Sequence, residues 1–193
     1  MRGQRFRFPG AEVEVEDVAH AGRVELRCVR RRQVEQVAVA DARLDEGGVE
    51  ALGHLQTNKA RLAAGRFQLI QSVDSLRLAE HIARIEPAQP VLVEVNVARE
   101  PQKSGVAPEE TVSLAIEIAK QLDLRGLMAM GPSHGDPTPA FEELRRLRDD
   151  AQQKIGRALP VLSMGMSGDF EAALGAGSTM LRLGQALFGP RPE

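Results

Sequence analysis

The sequence predicts an α/β fold built on parallel strands, and three observations carry that expectation. From about residue 66 onward, short β-branched or apolar runs alternate with stretches of helical periodicity, the pattern of repeated strand–helix units. At 193 residues and 42% hydrophobic content, the chain is large enough to bury one core without disulfide or metal staples. Residues 1–50 do not continue the rhythm, so the regular part begins only after them.

Taken in order, the first 50 residues contain AEVEVEDV, GRVELRCV and QVAVAD, which alternate weakly like strands and are interrupted by Arg30, Arg31 and Arg32. This segment holds nine Arg, no Lys and no Ile, a composition unlike the rest. FQLIQSV (67–73) reads as a strand, and DSLRLAEHIARI (74–85) as a helix burying Leu78, Ile82 and Ile85. VLVEVNVA (91–98) is the next strand. It leads to Pro108 at a helix start, with Glu109 and Glu110 in the first turn and Val112, Ala115, Ile116, Ala119 and Leu122 on the inner face. RGLMAMG (125–131) is a strand, the polar stretch 131–139 a loop, and AFEELRRLRDDAQQKIG a helix with Phe141, Leu144, Leu147, Ala151 and Ile155 at helical spacing. PVLSMGM, GDFEAALGAG and STMLRLG then read as strand, short helix and strand. A TIM-like barrel and an open doubly wound sheet both satisfy this pattern.

Composition excludes several function classes. The formal net charge is −2 and the pI about 6.1, which gives no bulk electrostatic attraction for nucleic acid or an anionic membrane. Cys28 is the only cysteine, so an intramolecular disulfide and a cysteine-rich zinc site are excluded, and a reducing, cytoplasmic compartment is expected. No apolar run is long enough to span a bilayer, and the start lacks the apolar core of a signal peptide. There is no Trp and no Tyr, which closes any mechanism that needs a tyrosine acid or base. Only Lys59, Lys103, Lys120 and Lys154 are available to form a Schiff base.

Three segments are specific enough to carry a resemblance: GHLQTNKAR (53–61), VNVAREPQKSG (95–105) and LSMGMSGDFEAALGAGSTMLRLGQALFG (162–189), with GLMAMGP (126–132) as a fourth. In order and spacing they resemble the signature segments of the pyridoxal 5′-phosphate (PLP) homeostasis family, over roughly residues 52 to 191. The resemblance implies a (β/α)8 TIM-like barrel of the alanine racemase N-terminal type, with PLP at the C-terminal strand ends. It also implies a non-catalytic role in intracellular PLP homeostasis, with PLP-dependent apo-enzymes as possible recipients. No nucleic acid or membrane partner and no metal are expected.

The candidate cofactor contacts are Ser163, Met164, Ser167, Arg182, Leu183, Gly184 and Asn58. Ser163 and Ser167 flank a Gly-containing strand end that enters a short helix, where hydroxyls and backbone N–H groups can meet a phosphate. A Gly/Ser loop of this kind also serves as an ordinary turn and N-cap. The resemblance puts Arg182 against the pyridine nitrogen and backbone amides near Leu183 and Gly184 beside the phosphate. A guanidinium holds its proton, so the ring nitrogen stays unprotonated and the ring is a poor electron sink, which favours holding PLP over carbanion chemistry. Asn58, with His54, Gln56 and Lys59, sits in a loop that the resemblance places beside the cofactor, although polar loop residues of this kind also serve as caps. Asn96 is a candidate for the barrel mouth. Lys103 reads as a surface charge, and the side chains of Met128, Met130, Met164, Met166 and Met180 as core filler.

The chain departs from the family at its beginning. The family's first strand ends in a Val-Ser/Thr-Lys segment whose lysine forms the Schiff base, and its second carries Phe-Gly-Glu-Asn; neither occurs here, and no lysine precedes Lys59. The strand before GHLQTNKAR is altered too, reading VEALGHLQ where the family has an aromatic-His-x-Ile-Gly run. The expected organisation is therefore an atypical segment over 1–51, the product of a shifted reading frame or a mis-assigned start, or else a divergent N-terminus that supplies two replacement strands, and a PLP-binding barrel portion over 52–193. The barrel is expected to be incomplete, with its first two strands missing or replaced. PLP, if bound, is expected to be non-covalent and the function impaired. The alternatives are an amino-acid racemase-like PLP enzyme, which lacks its lysine and tyrosine here, and a ligand-free inactive remnant.

Overall fold

In the structure, a computed structural model, residues 4–8, 11–18, 23–30, 36–38, 50–51 and 55–183 are described. Among the described residues ten strands form two sheets. The strands β1 (Gln4–Phe8), β2 (Ala11–Val18) and β3 (Arg23–Arg30) make an antiparallel sheet in the order β1-β2-β3. Two of the three weak alternations in the first 50 residues thus pair with each other, as local alternation with short connections favours.

The second sheet has seven strands, all paired in parallel: β4 (Gln36–Ala38), β5 (Glu50–Ala51), β6 (Leu69–Val73), β7 (Pro90–Glu94), β8 (Asp123–Met128), β9 (Val161–Met166) and β10 (Met180–Arg182). Their order is β4-β10-β9-β8-β7-β6-β5. From β5 to β10 each strand lies beside its predecessor, and β4 adds to the far side of β10 with Leu181 opposite Val37. The third N-terminal alternation therefore joins the main sheet. Among the described residues β4 and β5 stand at its two edges.

The connections hold the helices. A 3-10 turn (Thr57–Lys59) and α1 (Ala60–Ala63) follow β5; α2 (Leu76–Ile85), α3 (Pro108–Ala119), α4 (Thr138–Ile155) and α5 (Phe170–Gly175) follow β6, β7, β8 and β9. Ser75 caps α2 by accepting the Leu78 N–H, and Pro108 opens α3 where a missing N–H costs nothing. Gly156 ends α4 in a left-handed conformation.

Two faces of the sheet are buried separately. Ile70, Val91, Val93, Leu127, Leu162, Leu181 and Leu183 pack with the helices, including Leu78, Ile82, Ala115, Ile118, Phe141 and Leu144. Leu69, Leu92, Met128 and Met180 form a second apolar cluster on the opposite face. That face is strongly curved: Gln71 on β6 bonds Ser163 on β9 at 2.7 Å and Met180 on β10 at 3.2 Å. In a flat sheet strands three and four places apart are separated by roughly 14 and 19 Å, beyond the reach of such side chains. The parallel sheet thus curls as a barrel wall does, with the second cluster on its concave side.

Two packing expectations are corrected. Ile85 is 47% exposed, because α2 buries Leu78, Ala79 and Ile82, and its last residue lies beyond that face. In α3 the buried stripe is Thr111, Ala115 and Ile118, continued by Leu122, one residue round from the expected 112/116/119 rows. Thr111 tolerates burial because its hydroxyl donates to the Ala107 carbonyl, and this lets a polar residue take a core position that hydrophobic spacing alone assigns to Val112.

Candidate functional site

Polar side chains appear on the concave face where apolar strand runs are interrupted: Gln71 in LIQSV, Glu94 in PVLVE, Ser163 in VLSMGM and Arg182 in MLR. All four are buried. The guanidinium of Arg182 donates from Nη1 to Ser163 Oγ at 2.7 Å and from Nη2 to the Ala129 carbonyl at 2.8 Å. Because arginine only donates, Ser163 Oγ must accept from it, which leaves the hydroxyl proton for Gln71 Oε1 at 2.7 Å. The Gln71 amide then directs Nε2 to Met180 Sδ at 3.2 Å. Three strands and the end of a fourth are joined by one directed chain of hydrogen bonds above the apolar cluster.

The structure brings Ser163 and Arg182 into direct contact. Alternation along β9 and β10 turns Met164 and Leu183 toward the helix layer, so only their backbone groups are available to a ligand on the concave side. Ser167 is half-buried in the loop from β9 to α5, where Asp169 Oδ1 accepts the Met166 N–H at 2.6 Å. Asn58 is exposed on the 3-10 turn. Gly184 and His54 lie outside the described residues. Gln71 and Glu94 went unremarked in the sequence. The signal was present, since a polar residue inside a run buried on both faces must have a partner.

Around the strand ends, the loop from β7 to α3 is fastened to its neighbours. Asn96, just beyond the C-terminal end of β7, is tied into its own loop: its Nδ2 donates to the Glu100 and Lys103 carbonyls and its Oδ1 accepts the Glu100 N–H. Lys103 is not a surface charge; its side chain is 16% exposed, with Nζ donating to the Gly131 carbonyl at 2.6 Å and lying 3.1 Å from Glu100. Arg99, at φ 54°, bridges Glu143 and Glu109, which hold it protonated, Glu143 contributing most. An open cleft of about 230 Å³ between Asn96, Arg99, Pro108 and Glu109 has these charges already paired.

Glu100 accepts two hydrogen bonds from Ser133, from its hydroxyl at 2.6 Å and its N–H at 2.7 Å. With Lys103 adding to them, the Ser133 hydroxyl first, these bonds hold the carboxyl at about 2, against 4.5 ordinarily. A depressed carboxylate contributes stability that is complete above its unfolded value and is lost as pH falls through the folded one, here the window from 4.5 down to about 2. Ser133→Ala is expected to return the Glu100 midpoint toward the ordinary range in a carboxyl-carbon NMR titration. An unchanged midpoint would assign the shift to another cause.

The alanine racemase N-terminal domain model matches residues 13–192. The chain belongs to that family. Among curated relatives, it is 42% identical over 150 residues to the pyridoxal phosphate homeostasis protein of Aquifex aeolicus, covering 72% of this chain and 65% of that protein. Its identity to the protein of the same name from Pseudomonas aeruginosa is 43% over 150 residues, covering 72% and 63%. The chain thus spans slightly under two thirds of the length of these relatives. Among solved structures, PipY of Synechococcus elongatus with PLP bound matches with a TM-score of 0.70 at 27% identity, covering 81% of this chain and 92% of that one. An alanine racemase of Clostridium difficile, at TM-score 0.59 and 19% identity, covers 76% and 40% and shares the fold. Among the described residues no helix is long and apolar enough to cross a membrane.

Proposed function

We propose that this chain binds PLP without catalysing a reaction on it and serves in cytoplasmic PLP handling, with PLP-dependent apo-enzymes as recipients. The observation that supports this reading is the buried guanidinium of Arg182, fixed at the C-terminal end of β10 by Ser163 and the Ala129 carbonyl. PLP, when bound, supplies an aldehyde and an electron-withdrawing ring. A neighbouring arginine keeps its own proton and leaves the ring nitrogen without one, which weakens the ring as an electron sink. The phosphate is assigned to Ser167 and the backbone around Leu183 and Gly184, with Asn58 at the rim. Ser163 acts through Arg182, since its hydroxyl already serves Arg182 and Gln71.

Binding is non-covalent in this reading. All four lysines lie among the described residues, and none is on a strand of the curved sheet. Lys59 is exposed on the 3-10 turn, Lys103 is bonded to Gly131, Lys120 pairs with Glu117 at 2.6 Å beyond α3, and Lys154 lies in the last turn of α4. The copy is impaired relative to its relatives, because loss of a covalent link removes affinity. We assign the atypical residues 1–51 to a shifted reading frame; a neighbouring frame encoding Val-Ser/Thr-Lys upstream of codon 52 would bear this out. An amino-acid racemase is disfavoured by the absence of tyrosine and of a strand lysine.

Titration of the purified chain with PLP, followed by absorbance and equilibrium dialysis, tests the reading. Saturable uptake of one PLP per chain is expected. Uptake no greater than that of an unrelated protein with as many lysines would overturn it and leave a ligand-free remnant.

A further inference from the structure

The directed hydrogen-bond chain begins on β6. Gln71 is fully buried on β6, four strands from Arg182 in sheet order, yet two hydrogen bonds connect them through Ser163. We propose that Gln71 is the positioning residue of the Arg182 site, setting the direction of the Ser163 hydroxyl and through it the orientation of the guanidinium. The proposal rests on the PLP reading for its consequence in binding, although the orientation of Arg182 is a property of the ligand-free protein.

The directions of these hydrogen bonds are forced. Ser163 has one proton, and Arg182 cannot accept it. Gln71 Oε1, 2.7 Å away, takes it, so both lone-pair directions of Ser163 Oγ remain open to the incoming Nη1. Without an acceptor at position 71 the hydroxyl turns to seek one elsewhere, since an unmade hydrogen bond in a buried site is costly. The Nη1 bond to Ser163 then weakens, and Arg182 keeps only its bond to Ala129 of the two. Gln71 also donates to Met180 Sδ, two residues before Arg182, so it meets β10 directly at Met180 and reaches Arg182 through Ser163 on β9.

A pair of variants separates positioning from packing. Gln71→Met fills a similar volume without the carbonyl acceptor, whereas Gln71→Glu keeps an acceptor for Ser163 and has the Arg182 charge close by. In the ligand-free protein, NMR-detected exchange of the Arg182 guanidinium protons should accelerate about tenfold or more in Gln71→Met and stay near wild type in Gln71→Glu. PLP affinity should follow the same order, falling about tenfold in the first and recovering in the second. Equal exchange in wild type and Gln71→Met, or equal damage by both variants, would overturn the proposal. If Gln71→Met does not fold, Gln71→Asn, whose shorter side chain withdraws the acceptor from Ser163, carries the same two readouts, with fast exchange supporting the proposal and unchanged exchange contradicting it. Should wild type take up no PLP while Gln71→Met still releases the guanidinium, the functional reading fails and the positioning role stands.

Discussion

Gly126→Ala is expected to destabilise the fold severely. Gly126 lies opposite Val161 where β8 and β9 pair near the middle of the parallel sheet. A Cβ there would sit 1.7 Å from the Val161 carbonyl oxygen and 2.7 Å from its carbon. Both atoms are backbone, so no side-chain rotation relieves the overlap. The strands must part, losing ladder hydrogen bonds and close packing on both faces, since Leu127 packs against the helices and Met128 on the concave side. Overpacking of this kind costs about 3 kcal/mol or more, against a total stability of about 5–15 kcal/mol for a domain. The comparison is Gly156→Ala at the end of α4, where φ is 76° but nothing lies within 4 Å of the added carbon. That change meets only the left-handed backbone penalty of about 1–2 kcal/mol. Urea unfolding of both variants checks the difference, and a Gly126→Ala protein within about 1 kcal/mol of wild type would mean that β8 and β9 are not paired as described.

Arg182→Ala is expected to cause the largest loss of PLP affinity of any single arginine replacement among the described residues. It removes a charged donor from the concave face and leaves Ser163 Oγ and the Ala129 carbonyl each short of one partner. Hydrogen bonds to charged groups contribute about 1.5–3 kcal/mol, so affinity should fall about 10- to 100-fold. Arg146→Ala, on the exposed side of α4, should change affinity by less than about twofold, because an exposed charge on a helix contributes little. A circular-dichroism check of folding keeps the comparison interpretable, since removing Arg182 also costs stability. Equal losses from the two variants would place the ligand away from Arg182.

Much of the main sheet was legible in the sequence because its strands are local patterns. LIQSV, PVLVE and VLSMGM are short apolar runs between helical stretches, and Pro108 and Gly156 mark helix ends by their own backbone preferences. The α3 face was misplaced by one residue because a threonine satisfied by its own helix can be buried as readily as a valine. Lys103 is more enclosed than a surface charge for a related reason: its loop closes over the strand ends and brings the ammonium to the Gly131 carbonyl of the next loop. At the site, Arg182 and Ser163 were readable from the segments that resemble the family. Gln71 was not, because its bond to Ser163 spans 92 positions and leaves no local trace beyond a polar residue among buried ones. The parallel pairing of β4 with β10 is of the same kind, joining residues far apart in the chain through backbone groups that any sequence supplies.

PLP held at Arg182 without a covalent link must survive one chemical trap: borohydride reduction of the PLP-saturated chain followed by peptide mass mapping. Nearly all PLP should be released on denaturation, with no dominant pyridoxyl-lysine among Lys59, Lys103, Lys120 and Lys154. A stoichiometric pyridoxyl adduct on one lysine, Lys59 or Lys103 above all, would show that the link is covalent after all.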